Sequence, residues 1–77
     1  MDEVVRRAQD AMLDQNWHEV RLLLHPYLHW TQRDGRTLRG RTKIIEMLQK
    51  RAAPAEPSSY ELRDGQIYRW EEPATAD

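Results

Sequence analysis

Of the side chains that can move protons or polarise a carbonyl, seven stand in or beside the strand and turn segments where a site could form. They are His25, His29, Asp34, Glu61 and Asp64, with Tyr27 and Tyr68 as hydrogen-bond donors. The segment Tyr27-Leu28-His29-Trp30-Thr31 alternates, so it reads as a strand with Leu28 and Trp30 on one face and Tyr27, His29 and Thr31 on the other. If its polar face is concave, His29 is the centre of a polar pocket, and Tyr27, His29 and Trp30 are the pocket candidates. The plainer reading makes His29 a partly exposed strand residue. His25 precedes Pro26 and reads as a helix C-terminal residue bonded to the last turn. Asp34 and Asp64 each precede a glycine, where aspartate serves turn geometry rather than catalysis. Glu61 reads as a solvated strand residue. The sequence shows no Ser/His/Asp or Cys/His arrangement and no glycine-rich phosphate loop. No catalytic residue is assigned on these grounds, and no metal ligand or cofactor is expected.

Two other groups could bind rather than react. Arg33, Arg36, Arg39, Arg41 and Lys43 place five positive charges in residues 33–43, offset there only by Asp34. Such a run could hold phosphate or nucleic acid. Aromatic residues are missing from it, and acidic residues elsewhere cancel its long-range field. It therefore reads as a solvated rim, with nucleic acid the disfavoured partner. Among the aromatics, Tyr60, Tyr68 and Trp70 are the interface candidates, because Tyr and Trp suit contacts that are apolar at one end and wet at the other.

The elements that position these residues follow from periodicity. Val4, Val5, Ala8, Ala11 and Met12 give residues 2–15 a helical stripe. Asn16 is an N-cap, and Glu19 three residues on completes a capping-box spacing. Trp17, Val20, Leu23 and Leu24 form the stripe of a second helix, which His25-Pro26 ends. A strand over 27–31, a turn at Asp34-Gly35 and a short return strand at 37–39 come next. Residues 41–51 form a third helix with Ile44, Ile45 and Leu48 on its apolar face. Asp64-Gly65, between Tyr60–Arg63 and Gln66–Trp70, is the strongest hairpin signal in the chain. A two-residue turn there pairs Leu62 with Ile67 and Glu61 with Tyr68, and puts Trp70 on the same face as Tyr68. The order helix-helix-hairpin-helix-hairpin is α+β, with helices packed on one side of a short curved antiparallel sheet. One domain spans 1–72, and 73–77 reads as a disordered tail.

At 77 residues the chain forms one domain at most, and it has no cysteine to staple it. Leu, Ile and Val supply only 14 residues and Phe is absent, so three Trp and three Tyr must provide core volume. A core this thin favours pairing with a second chain, and a homodimer is expected. No apolar run is long enough to span a membrane, and no signal pattern opens the chain, so a cytoplasmic location is the default. Ten arginines against two lysines suggest a GC-rich bacterial source.

Asn16-Trp17, Val20, Leu23-Leu24-His25-Pro26, Leu28, Trp30, Gly35, Leu38, Gly40-Arg41, Ile44-Ile45 and Leu48, in that order and spacing, resemble the nuclear transport factor 2-like superfamily. The SnoaL-like polyketide cyclase branch is the nearest in pattern. The resemblance covers roughly residues 4–50 and continues more loosely through 60–70. It implies a cone-like α+β fold in which a curved sheet wraps a helix around a pocket, and a homodimer packed through the sheet. Some members are cyclases or isomerases, and others only bind or assemble. Two departures matter. Enzymatic members often carry an acidic residue after His-Pro, where this chain has Tyr27. The strands that build the far pocket wall are also missing, so the chain resembles a shortened member. The expectation is a non-catalytic homodimer or a module that binds a partner or a small hydrophobic ligand. The alternatives are a cyclase or isomerase acting on a small hydrophobic carbonyl compound, with His29 as base, and a polyanion binder through residues 33–43.

Overall fold

The computed structural model describes residues 2–51 and 54–73. The tail expected over 73–77 lies outside the described residues except for Pro73. Helix α1 spans Glu3–Leu13, α2 Trp17–Leu23 and α3 Arg41–Gln49; the strands are β1 Leu24–Thr31, β2 Thr37–Arg39, β3 Ser59–Arg63 and β4 Gln66–Glu71. The α+β class and the helices on one side of a short, curved, open sheet are as the sequence implies.

The joint between α1 and α2 is compact because two residues do several jobs. Asp2 caps α1, its Oδ1 accepting from the Val4 N–H at 2.8 Å. At the other end, Gln15 takes φ 56°, and the N–H groups of Gln15 and Asn16 reach back to the Met12 and Ala11 carbonyls at 3.2 and 2.9 Å. That pair of bonds closes a helix with a left-handed residue. Asn16 then caps α2 by accepting from the Glu19 N–H at 3.3 Å. The reciprocal half of the capping box does not form, since the Asn16 N–H is already spent on α1. The Glu19 carboxylate turns to Arg7 instead, at 2.9 Å, and ties the two helices together.

α2 ends earlier than the sequence implies. Leu24 is already extended, at φ −99° and ψ 135°, and β1 runs through His25 and Pro26. His25 is therefore a strand residue; its Nδ1 accepts from the Tyr27 N–H at 3.0 Å rather than bonding the end of α2. Pro26 is tolerated there because the ladder with β4 is irregular between Leu24 and His29.

The strand order is β2-β1-β4-β3. Both hairpins are antiparallel, but they abut along β1 and β4 in parallel, so the sheet is mixed where an antiparallel one was expected. Parallel pairing sets Trp30 directly beside Trp70. Their rings stack at 4.6 Å and 6°, and neither indole meets solvent (both 0% exposed).

A bulge explains how Trp70 arrives there. Leu62 pairs with Ile67 as the two-residue turn requires, but Glu61 then pairs with Arg69, leaving Tyr68 unmatched. One extra residue in a strand of period two inverts every position beyond it. Ile67 and Trp70, three apart, thus both face the helices. Under this inward face lie Val5, Ala8, Ala11 and Met12 of α1, Val20 and Leu23 of α2, and Ile44, Ile45 and Leu48 of α3. Burying each larger aliphatic side chain contributes about 1.5–3 kcal/mol.

Candidate functional site

The helices cover one face of the sheet and leave the other bare. The registers fix what the bare face presents. One row crosses all four strands as Arg39, His29, Arg69 and Glu61; the next crosses as Thr37, Thr31, Glu71 and Ser59. Beyond the first row, the irregular part of β1 and the bulge of β4 bring a ring cluster together. The His25 and Tyr68 rings meet edge-on at 5.1 Å, His29 and Tyr68 at 5.5 Å, and His25 lies 5.8 Å from Tyr27. The Arg63 guanidinium sits 4.0 Å above the Tyr68 ring, a cation–π contact. Glu61 stands between Arg69 at 3.5 Å and Arg63 at 3.9 Å.

Of the pocket candidates, Tyr27 (73% exposed) and His29 lie on this bare face, while Trp30 is buried on the opposite one. The three cannot line one pocket, because strand alternation separates Trp30 from its neighbours. The cone interior is filled by Leu28, Trp30, Ile67 and Trp70, all without solvent exposure. Among the interface candidates, Tyr68 is half-buried on the bare face. Trp70 is not exposed at all, for the bulge turns it inward. Tyr60 pairs with Trp70, so it is on the helix side at the sheet edge, 39% exposed, with its hydroxyl accepting from the Asp2 N–H at 3.2 Å.

The basic run does not form one patch. Arg36 pairs with Asp34 at 3.6 Å, and Arg33 reaches Glu72 at 3.9 Å. Arg41 turns inward, donating from Nη1 to the Arg21 and Leu24 carbonyls at 3.3 and 3.4 Å, and so closes the end of α2. Burial, and then the like charge of Arg21, lower its guanidinium below the ordinary arginine value. Lys43 lies beside Leu38 and Met47 on the outside of α3. Arg39 alone of the run stands on the bare face, in no ion pair or hydrogen bond among the described residues.

The sequence gives Glu72 no role, yet it is the one buried charged residue among those described. Its carboxylate accepts from Trp30 Nε1 at 2.8 Å and from both arms of the Arg51 guanidinium, one at 3.0 Å. Its own N–H reaches the Thr31 carbonyl at 2.9 Å. Burial alone pushes the Glu72 carboxyl up. The hydrogen bonds from Arg51 and Trp30, with the charges of Arg51 and Arg33, outweigh burial and hold it below the ordinary carboxylate value. The only advance signal was indirect: a buried indole N–H needs an acceptor. Trp70 Nε1, by contrast, is buried without one among the described residues.

Chemically, the bare face offers rings, cations, hydroxyls and the Glu61 and Glu71 carboxylates, but among the described residues no carboxylate is hydrogen-bonded to a histidine. His29 touches the Tyr68 ring and has no hydrogen-bond partner among the described residues, and no group of three or more potential metal ligands occurs among them. Comparison with protein-family models, curated proteins and solved structures returned no match.

Proposed function

We propose that this chain is a small, non-catalytic binding domain of the nuclear transport factor 2-like kind. It docks a partner, a second copy of itself, through the bare face of its sheet. One observation carries the reading: the His25–Tyr68–His29 ring cluster, with Tyr27 exposed beside it, stands on a sheet face that none of the described helices or strands covers. Aromatic groups flanked by arginine are the composition that interfaces favour. The filled cone interior and the lone His29 argue against the cyclase or isomerase alternative. The dispersal of Arg33, Arg36, Arg41 and Lys43 argues against a polyanion track. No helix among the described residues is long and apolar enough to cross a membrane, which fits a cytoplasmic working place.

Sedimentation velocity and native mass spectrometry across a concentration series test this directly. The wild-type chain is expected to dimerise as concentration rises, and Tyr27→Ser to shift that transition to higher concentration. A wild type that stays monomeric, or a variant that associates as the wild type does, defeats the reading.

A further inference from the structure

The bare face has a second half that the ring cluster does not use. It is a shallow groove of about 310 Å³ lined by His29, Thr31, Thr37, Arg39, Arg69 and Glu71. We propose that this groove is a seat for a compact oxyanion, a phosphate or carboxylate group. The inference rests on the reading of the bare face as the binding face, but apart from His29, which borders both halves, it concerns different residues.

The register supplies the first argument. Arg39 and Arg69 lie on the strands either side of β1, both opposite His29. Neighbouring strands are about 4.8 Å apart, so the two arginine backbones stand roughly 10 Å from each other. Two long guanidinium side chains at that separation can converge on one anion above His29. Planar guanidinium groups match phosphate and carboxylate oxygens in pairs.

Donor availability supplies the second. The Arg39 side chain has no partner among the described residues, so its guanidinium N–H groups are free for a ligand. Thr31 Oγ1 and Thr37 Oγ1 are 3.2 Å apart. Each hydroxyl has one hydrogen; one is used between them, and the other is left to point out of the groove. Arg69 makes no side-chain hydrogen bond among the described residues, and it approaches Glu61 through Nε at 3.5 Å.

The acidic wall limits what fits. Glu71 is the groove's one carboxylate, and its Oε2 accepts from the Ser59 hydroxyl at 2.7 Å on the β3 side. The anion must therefore sit toward β2, with Arg39, Thr31 and Thr37. A long polyanion crossing the sheet would meet Glu71 and Glu61, whereas a single phosphate or carboxylate would not. Charge complementarity thus selects a small anion over a nucleic-acid strand.

The test is a proton–nitrogen correlation titration of the full chain with sodium phosphate, sodium acetate and, as the control for ionic strength, sodium chloride. Saturable shifts confined to Thr31, Thr37, Arg39 and Arg69 with phosphate or acetate are expected. The better of the two identifies the preferred oxyanion. Arg39→Gln should weaken the apparent affinity roughly tenfold, the loss of a charge-assisted pair. Thr37→Val should weaken it by a smaller factor, with the spectrum otherwise intact. Shifts that chloride reproduces, or an affinity unchanged in Arg39→Gln, would overturn the proposal. The association state of Arg39→Gln, measured in parallel, separates the two readings. Lost phosphate shifts with unchanged dimerisation support a seat distinct from the docking patch. Absent phosphate shifts alongside wild-type dimerisation defeat the oxyanion seat and leave the docking face standing.

Discussion

The two faces of this one sheet put aromatic rings to opposite uses. On the covered face, Trp30 and Trp70 lie flat against each other at 4.6 Å with no solvent contact. On the bare face, His25, His29 and Tyr68 meet edge-on, and Tyr27 stands in water. The first pair substitutes for the aliphatic bulk the sequence lacks and holds the fold together. The second cluster adds little to the fold and remains available to another molecule. In so small a domain, the same residue classes can serve both ends only because strand alternation and one bulge keep them on separate sides.

The sharpest way to break that contrast is to remove a ring from the covered face. Trp70→Ala should cost about 3–5 kcal/mol, the range for truncating a large buried aromatic. In a domain this small that is a large part of the total stability. Urea unfolding followed by circular dichroism should show a strongly lowered midpoint or no folded baseline. A midpoint within experimental scatter of wild type would mean the stack is not the core.

Glu72→Gln comes next. It keeps the shape but removes the charge between Arg51, Arg33 and Trp30. A loss of about 2–3 kcal/mol is expected, below that for a fully buried pair because a quarter of the Arg51 side chain meets water. The effect carries a pH signature. The folded carboxyl titrates below the ordinary glutamate value of 4.5. Its contribution is thus complete above that pH and fades as pH falls through the lowered folded value. Wild-type stability should drop more steeply on acidification below about pH 4.5 than that of Glu72→Gln. Parallel pH profiles would remove Glu72 from its role.

The smallest stability effect belongs to the bare face. Tyr68→Ala should change unfolding stability by less than about 1 kcal/mol, yet weaken self-association in sedimentation. A large stability loss without a change in association would assign Tyr68 to the fold and collapse the distinction between the faces.

Much of the scaffold was legible in the residues. The Asn16 cap, the Ile44/Ile45/Leu48 stripe and the Leu62–Ile67 pair each follow from a local rule, and each stands in the structure. What escaped is non-local. Parallel contact between β1 and β4 joins residues forty apart, and no short-range pattern encodes it. The Tyr68 bulge is invisible to a reading by strict alternation, and for that reason Trp70 was assigned to the wrong side. Glu72 lies past the last periodic residue, and its role comes from Trp30 and Arg51, both distant in sequence. At the candidate site, Tyr27 and His29 were placed together correctly by alternation. Grouping Trp30 with them failed on the same rule.

The unmatched Tyr68 makes β4 behave like a reading frame. Substitution at its outward positions leaves the strand's register unchanged, because any side chain that tolerates water fits there, and alters only what the bare face binds. Strict alternation over the same three steps from Ile67 would expel the Trp70 indole into solvent and draw Glu71 toward the interior. Deleting one residue between Ile67 and Trp70 would instead keep the indole inward, two positions past Ile67, and abolish only the bulge. The extra residue therefore serves the bare face, where it presents Tyr68, and not the core.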